Sequence, residues 1–187
     1  MRLLLPLASC TIAVAVSSSP ALARQMVEAP LYSSWARVPV GTKITLRTVT
    51  ESGGQKVEAL TSQTLLSVDE KQAVVEQTFL GSDAKGTSQE GTQLIRHRRW
   101  FPLPSGKSKE DIGKPSDAIA SGEETIELAG RTFEASWYDA SGQTEAGPSM
   151  TRTWIADDVP GRLLKAVTTV EATNTVVTIE LVEVTTP

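Results

Sequence analysis

The sequence predicts an all-β protein in which antiparallel strands follow one another along the chain as a meander. From residue 40 onward, Thr, Val, Ile and Leu dominate, and clusters of Gly, Ser and Asp recur about every 10–14 residues, as expected for short strands joined by turns. No segment repeats its apolar residues at a helical period. About nine strands are expected, and so wide a sheet must curl or split to bury one face. We therefore predict a half-barrel or a barrel, with a two-sheet sandwich as the alternative.

The first half of the chain predicts four strands. Gly53 and Gly54 supply the positive φ angles that a tight hairpin turn between the first two strands requires. The fourth strand is expected to end at Pro102, because proline cannot donate a hydrogen bond to a central ladder. These strands are predicted at residues 41–50, 56–68, 73–80 and 92–101.

The second half predicts five further strands after a long polar connection at residues 103–122. That connection is rich in Lys, Ser, Gly and Pro, and we expect a loop with a short helical turn near residues 116–120. Turns are predicted at residues 129–130, 139–142 and 159–161. The strands between them are predicted at residues 124–128, 131–138, 150–156, 163–171 and 175–184.

The N-terminus has the pattern of a secretory signal peptide. Arg2 precedes an apolar run at residues 3–16, and Ala21-Leu22-Ala23 forms a cleavage site of small residues. Residues 7–10 also spell a lipobox, but the apolar core before Cys10 would be short, so we expect cleavage after Ala23 rather than acylation of Cys10. The predicted organisation is a signal peptide at 1–23, an N-terminal arm or short helix at 24–34 and one β-rich domain at 35–187. The mature chain is expected in the periplasm or outside the cell.

Composition excludes several classes of function. Because Arg2 is the only charged residue of the predicted signal, the mature chain of 164 residues has 17 basic and 22 acidic side chains and a net charge of −5. This sign argues against general nucleic-acid binding. No later run is long and apolar enough to span a bilayer. Since Cys10 is the single cysteine, the mature chain is expected to form no disulfide and to offer no thiolate metal ligand.

The sequence lacks the motifs of the common enzyme classes, among them the P-loop, the nucleophile elbow and the zinc-protease helix. Asp157 and Asp158 would be the best carboxylates for an enzyme that uses acids alone. However, their position before Val159-Pro160-Gly161 is explained by the turn that they begin. We therefore predict a non-enzymatic protein with no cofactor and no metal site.

Two groups of residues are candidates for binding. Phe79, Trp137 and Trp154 would line an apolar cavity in a curled sheet, or fill its core if there is no cavity. Arg96 and Arg98 share one face of the Arg96-His97-Arg98-Arg99 run and would bind an anion, unless these charges only protect an edge strand from aggregation. The first hypothesis for function is a lipophilic ligand in the curved sheet. The alternative is an interaction or structural module of the envelope that binds a partner protein, and an enzyme using carboxylates alone is the third.

Three segments together resemble a family of secreted bacterial proteins of planctomycete type whose function is uncharacterised. They are Trp35-Ala-Arg-Val-Pro-Val-Gly41-Thr42, the strand from Ala129 to Trp137, and Trp154-Ile-Ala-Asp-Asp-Val-Pro160-Gly161-Arg-Leu-Leu-Lys165. The last segment is also similar to a late strand pair of the periplasmic half-barrels LolA and LolB. The resemblance implies a β-rich exported fold and no particular activity. Arg162 stands where the family usually has another glycine.

Overall fold

The computed structural model describes residues 25–82 and 88–187, which form one large and one small antiparallel sheet. The predicted signal peptide at 1–23, with Cys10, lies outside the described residues. A short helix, α1, spans Pro30–Ala36. The strands are β1 (Met26–Glu28), β2 (Lys43–Ser52), β3 (Gln55–Val68), β4 (Gln72–Ser82), β5 (Ser88–Arg98), β6 (Trp100–Pro102), β7 (Ala118–Leu128), β8 (Arg131–Thr144), β9 (Gly147–Ile155), β10 (Leu163–Val170) and β11 (Thr175–Thr185).

The large sheet consists of two meanders placed side by side. In the first meander, β2, β3, β4 and β5 pair one after another in chain order, and in the second meander β7, β8, β9, β10 and β11 do the same. The two meanders meet where β2 pairs with β11. The resulting order is β5-β4-β3-β2-β11-β10-β9-β8-β7, so both edges of the sheet fall in the middle of the sequence. The all-β antiparallel prediction is confirmed, and the sheet is not closed into a barrel. β7 nevertheless approaches β11 across three intervening strands, which shows that the C-terminal meander curls.

The predicted strands are close to those observed in the first half and for β9, β10 and β11, but they are too short for β7 and β8. The expected turn at residues 139–142 is wrong, because β8 continues through it to Thr144. The helical turn expected near residues 116–120 is also wrong, because β7 begins at Ala118 and the connection instead has a 3-10 turn at Lys109–Asp111. The strand expected at residues 92–101 divides at Arg99 into β5 and β6, and β6 ends at Pro102 and pairs with β1.

Helix α1 packs against one end of the large sheet, and its Trp35 side chain is part of the core there. Pro30 at its start has the fixed φ that suits a first helical turn. Trp35 is fully buried, and its ring, the side chain of Ile44 and that of Gln63 converge on Gly161. In the part of the predicted arm or short helix that the structure describes, β1 is followed by α1, which begins at Pro30 and continues past residue 34 to Ala36.

The two faces of the large sheet can be followed from strand to strand by the register. Side chains directly opposite each other in neighbouring antiparallel strands lie on the same face. We call the face that carries Ile44 and Gln63, and therefore α1, the helix face. One row on the other face, here called the opposite face, crosses the sheet from Leu80 through Leu60, Arg47, Glu180, Lys165 and Trp154 to Trp137.

Candidate functional site

Trp137 and Trp154, two of the predicted site residues, meet on the opposite face. They are directly paired across β8 and β9. The guanidinium of Arg152 lies 4.3 Å from the ring centre of Trp137 and 5.9 Å from that of Trp154. Lys165 places its ammonium 5.6 Å from the Trp154 ring. Two indoles and two cations therefore form one partly exposed cluster, in the geometry of cation–π contacts.

Acidic side chains hold this cluster in place. Arg152 donates to both carboxylate oxygens of Asp139, at 2.6 and 2.7 Å, and this bidentate bond holds the pKa of Asp139 below its usual value. Trp154 donates its indole N–H to Glu124 of β7. The hydrogen-bonding groups of the cluster are thus largely satisfied within the protein.

Gly122 explains how Trp137 fits against β7. The two residues are directly paired, and a Cβ atom at Gly122 would lie 2.7 Å from the indole ring. One face of the ring therefore covers the glycine, while Arg152 lies over the ring system of Trp137. The glycine is required by close packing, since its φ angle is not positive.

Phe79, the third predicted member, lies elsewhere. It pairs with Thr61 of β3 and Gly91 of β5, next to Leu80 in β4, and therefore projects from the helix face. Its side chain is 39% exposed. The structure thus brings Trp137 and Trp154 together and separates Phe79 from both by several strands and by the thickness of the sheet. A ligand role for the three residues stays a prediction.

Arg96 and Arg98 lie on β5, which is an outer strand of the large sheet. The register places both on the opposite face and His97 on the helix face, where it pairs with Ala73. Burial lowers the pKa of His97, since desolvation disfavours the imidazolium. Arginine side chains on an outer strand fit edge protection, and anion binding by Arg96 and Arg98 stays a prediction.

Asp157 and Asp158 belong to the β9–β10 turn, as the turn pattern indicates, and both are exposed. Arg162 pairs with Asp157, with its Nη2 2.7 Å from Oδ1. The two acids border a polar crevice of about 450 Å³ together with Glu134 and Lys114. In the described ranges 25–82 and 88–187, no group of three or more His, Cys, Asp or Glu side chains has a metal-binding arrangement.

The β9–β10 turn also joins the first and last segments of the resemblance. Gly161 donates its backbone N–H to Ser34 Oγ over 3.1 Å, directly beside Trp35 in α1. Arg162 has a φ of +65°, in the left-handed region that glycine adopts without strain. This backbone conformation gives a physical reason for the glycine that the resemblance leads one to expect there.

The long connection at residues 103–117 lies against the helix face. Arg162 Nη1 donates to the carbonyl oxygen of Gly113 over 3.0 Å, and a Cβ at Gly113 would lie 2.8 Å from Pro30 Cγ. Between this connection and the sheet lies a crevice of about 360 Å³, which is within the usual size range of ligand pockets. Its lining includes Ala118 and Ser121 of β7, Tyr138 of β8, and Phe101, Pro104 and Ile112.

β7 is the other outer strand of the large sheet, and it borders this crevice. Eight of its eleven side chains are exposed, although the strand approaches β11. Ile119, at an irregularity in the pairing with β8, is 63% exposed. Glu123 and Glu127 share the helix face with Ser121, and Glu134 lies opposite Thr125 on that same face. The edge of the sheet is thus open, acidic at one end and bordered by a crevice at the other.

This edge is hard to recognise from the sequence because residues 118–122 have weak strand propensity. The small residues Ala118, Ala120, Ser121 and Gly122 are typical of a polar connection. The sequence therefore predicts a strand only at residues 124–128. The available signal was Glu123-Glu124, an acidic pair that stands out beside a short predicted strand.

No family model matches the chain, and no curated protein is significantly similar to it. Among solved structures, an exported protein with a YmcC-like fold from Bacteroides fragilis aligns with a TM-score of 0.48 at 10% identity, over 79% of this chain and 97% of that one. The MucA/MucB complex of Pseudomonas aeruginosa aligns with a TM-score of 0.47 at 13% identity, over 83% of this chain and 54% of that one.

A domain from Vibrio parahaemolyticus, described as an outer membrane lipoprotein-sorting protein, aligns with a TM-score of 0.27 at 10% identity, over 82% of this chain and 88% of that one. These similarities are in backbone fold only. The resemblance to a planctomycete-type family stays a prediction. No helix in the described part of the chain is long and apolar enough to cross a membrane.

Proposed function

We propose that this protein is a non-enzymatic interaction module that binds an extended segment of a partner protein as an added strand beside β7. The single observation that carries the proposal is the open outer strand, with eight of eleven side chains exposed. An outer strand presents unpaired backbone N–H and C=O groups, which an extended peptide can pair with along its length. In the mature, exported protein that the N-terminal sequence predicts, such a partner would belong to the envelope.

β7 is favoured over β5 as the binding edge because it has a crevice beside it. Strand addition takes its affinity from backbone hydrogen bonds and its specificity from pockets that accept alternate side chains. Ala118 and Ser121 line such a crevice on the helix face. β5, in contrast, carries Arg96, His97 and Arg98 on its two faces, a pattern that suits protection of an edge.

A lipophilic ligand on the curved sheet is the alternative, and the site geometry supports it less well. Trp137, Trp154 and Phe79 would have to share one cavity, whereas they lie on two faces. One row of the helix face, where the two meanders meet, consists mainly of threonine and alanine: Thr48, Ala59, Ile179, Ala166 and Thr153. The apolar side chains further along this face, such as Ile44, Leu46 and Leu181, are buried in the core.

The experiment selects binders for residues 25–187 from a random peptide library and then tests two adjacent proline variants, Ala120→Pro and Ser121→Pro. Backbone N–H groups of a strand point alternately to its two sides, so one variant damages the pairing with β8 and the other alters only the outer edge. Circular dichroism identifies the variant that stays folded. We expect this variant to lose peptide binding, and Gly91→Pro or Thr92→Pro, whichever folds, to retain it.

Undiminished binding by the folded β7 variant would contradict strand addition at this edge. A fluorescent fatty-acid probe is titrated in parallel. Saturable binding of the probe that competes with no peptide would favour the lipophilic alternative.

A further inference from the structure

Resting on the proposed function, we infer which side chains of the partner segment are recognised. The partner segment has one apolar side chain, and it has basic side chains two and six residues away from it in the same direction along the partner chain. Strand addition alone leaves the side chains of the partner unspecified, and this pattern specifies them. It follows from which β7 side chains share a face and what surrounds them.

The apolar position follows from the crevice. Ser121 pairs with Tyr138, which places both on the helix face. Both line the crevice of about 360 Å³, together with Phe101 and Ile112. A partner residue opposite Ser121 in an added strand would project from the same face and lie at the mouth of this crevice. Because aromatic and aliphatic groups line much of it, an apolar side chain fits there best.

The basic positions follow from the acidic side chains further along the edge. Glu123 and Glu127 lie on the helix face two and six residues beyond Ser121, and Glu134 of β8 lies between them in the register. All three side chains are exposed. Among the nearby cations, Arg162 is paired with Asp157. Lys107 and Lys114 line the crevice beside Ser121, and Lys114 also borders the polar crevice, so neither belongs to the strip of β7 that carries Glu123 and Glu127. A Lys or Arg opposite Glu123 or Glu127 would therefore meet a negative surface.

The even spacing is the specific element of the inference. Successive side chains of a strand alternate between faces, so a basic residue one or five positions from the apolar one would lie on the opposite face. There it would meet the side of β7 that carries Gly122 and Ile126. The same spacing holds for a parallel or an antiparallel partner, since only the direction of reading changes.

The test compares synthetic eleven-residue peptides in a Ser/Thr host sequence, made in both orders. One has Leu with Lys at +2 and +6, one has Leu with Lys at +1 and +5, and one has Leu with Glu at +2 and +6. In the first peptide the two lysines can form exposed ion pairs with Glu123 and Glu127. We therefore expect it to bind about fivefold more tightly than the second peptide, and to exceed the third peptide, which has like charges, by more than that.

Charge reversal in the protein supplies the matched control. The double variant Glu123→Lys, Glu127→Lys should prefer the peptide with Glu at +2 and +6. Glu124→Gln, on the opposite face, removes the charge but keeps an oxygen acceptor for the Trp154 N–H, and it should keep the native preference. Ser121→Tyr, which fills the mouth of the crevice, should remove the advantage of Leu over Ser at the apolar position. Ala120→Tyr, on the opposite face, should leave that advantage unchanged.

Equal binding of all three peptides, together with loss of binding in the folded β7 proline variant, would overturn this recognition rule and leave strand addition standing. A preference that follows Glu124 would also overturn it. Peptide binding that ignores β7 altogether would overturn the proposed function.

Discussion

The Arg162 side chain joins two connections that are far apart in the sequence. Its Nη1 donates to the carbonyl oxygen of Gly113 over 3.0 Å, and its Nε donates to Asp157 Oδ1 over 2.9 Å. The Arg162 side chain is 14% exposed and that of Asp157 is 75% exposed, so the bond to Gly113 is partly shielded from water and the bond to Asp157 is open to it. The contact fixes the 103–117 connection at the mouth of the crevice beside β7.

Replacing Arg162 should loosen that connection. Arg162→Gly removes both bonds but suits the φ of +65°, whereas Arg162→Ala removes them and keeps the strain. We expect faster amide exchange at residues 109–115 in both variants, with the alanine variant less stable than the glycine variant by about 1 kcal/mol. Hydrogen exchange and urea unfolding measure the two effects. Unchanged exchange at residues 109–115 would contradict the proposed anchoring.

Gly122 and Gly91 form a matched pair of strand glycines. A Cβ at Gly122 would lie 2.7 Å from the Trp137 ring, whereas a Cβ at Gly91 would meet no atom within 4 Å. Gly122→Ala should destabilise the protein by about 1–3 kcal/mol because the ring must move. Gly91→Ala should be neutral or stabilising by up to about 1 kcal/mol. Urea unfolding followed by tryptophan fluorescence distinguishes the two, and similar effects of both variants would contradict the packing of Trp137 on Gly122.

The Thr42 side chain is fully buried, and its hydroxyl has no hydrogen-bond partner among residues 25–82 and 88–187. Removing such a hydroxyl while keeping the shape relieves an unsatisfied group, so Thr42→Val should leave the free energy of unfolding unchanged or raise it. Thr42→Ala also removes a packed methyl group and should cost about 1 kcal/mol. Thermal unfolding of both variants tests this. A clear loss of stability in Thr42→Val would indicate that the hydroxyl is in fact bonded.

His97 should make the protein less stable in mild acid. Its pKa is lowered by burial in the folded state, so below pH about 6.5 the unfolded chain takes up the proton first. The stability associated with neutral His97 is therefore present above that pH and is lost as the pH falls towards the folded-state pKa. His97→Gln should flatten the stability profile between pH 7 and 5. The stability that comes from carboxylates with lowered pKa values, such as Asp139, is lost only at lower pH, where these groups become protonated.

The strand pattern was predictable wherever the local signals were strong. Gly53-Gly54 marks a hairpin, and β2 and β3 follow closely from alternation around it. The pairing of β2 with β11 was not predictable, because it joins segments more than 120 residues apart that have no shared local signal. Burial was not predictable either: Trp35 is fully buried and Trp100 is 47% exposed, although each is a tryptophan with an arginine within two residues in the sequence.

For the candidate site, the sequence singled out Trp137 and Trp154 but could not place Phe79 on another face. That distinction depends on the register of the six strand pairs between β4 and β8, and a shift by one residue in any pair moves a side chain to the other face. β7 was underestimated because small residues have low strand propensity while the sheet supplies a partner, β8, that holds them extended.

The most direct test of the account is amide exchange of the isotopically labelled protein, measured by NMR with and without a selected peptide. Strand addition predicts that alternate amides of β7, between Ala118 and Leu128, become protected on binding, while those of β5 do not change. Protection confined to β5 or to α1, or no change in β7 at a saturating peptide concentration, would contradict it.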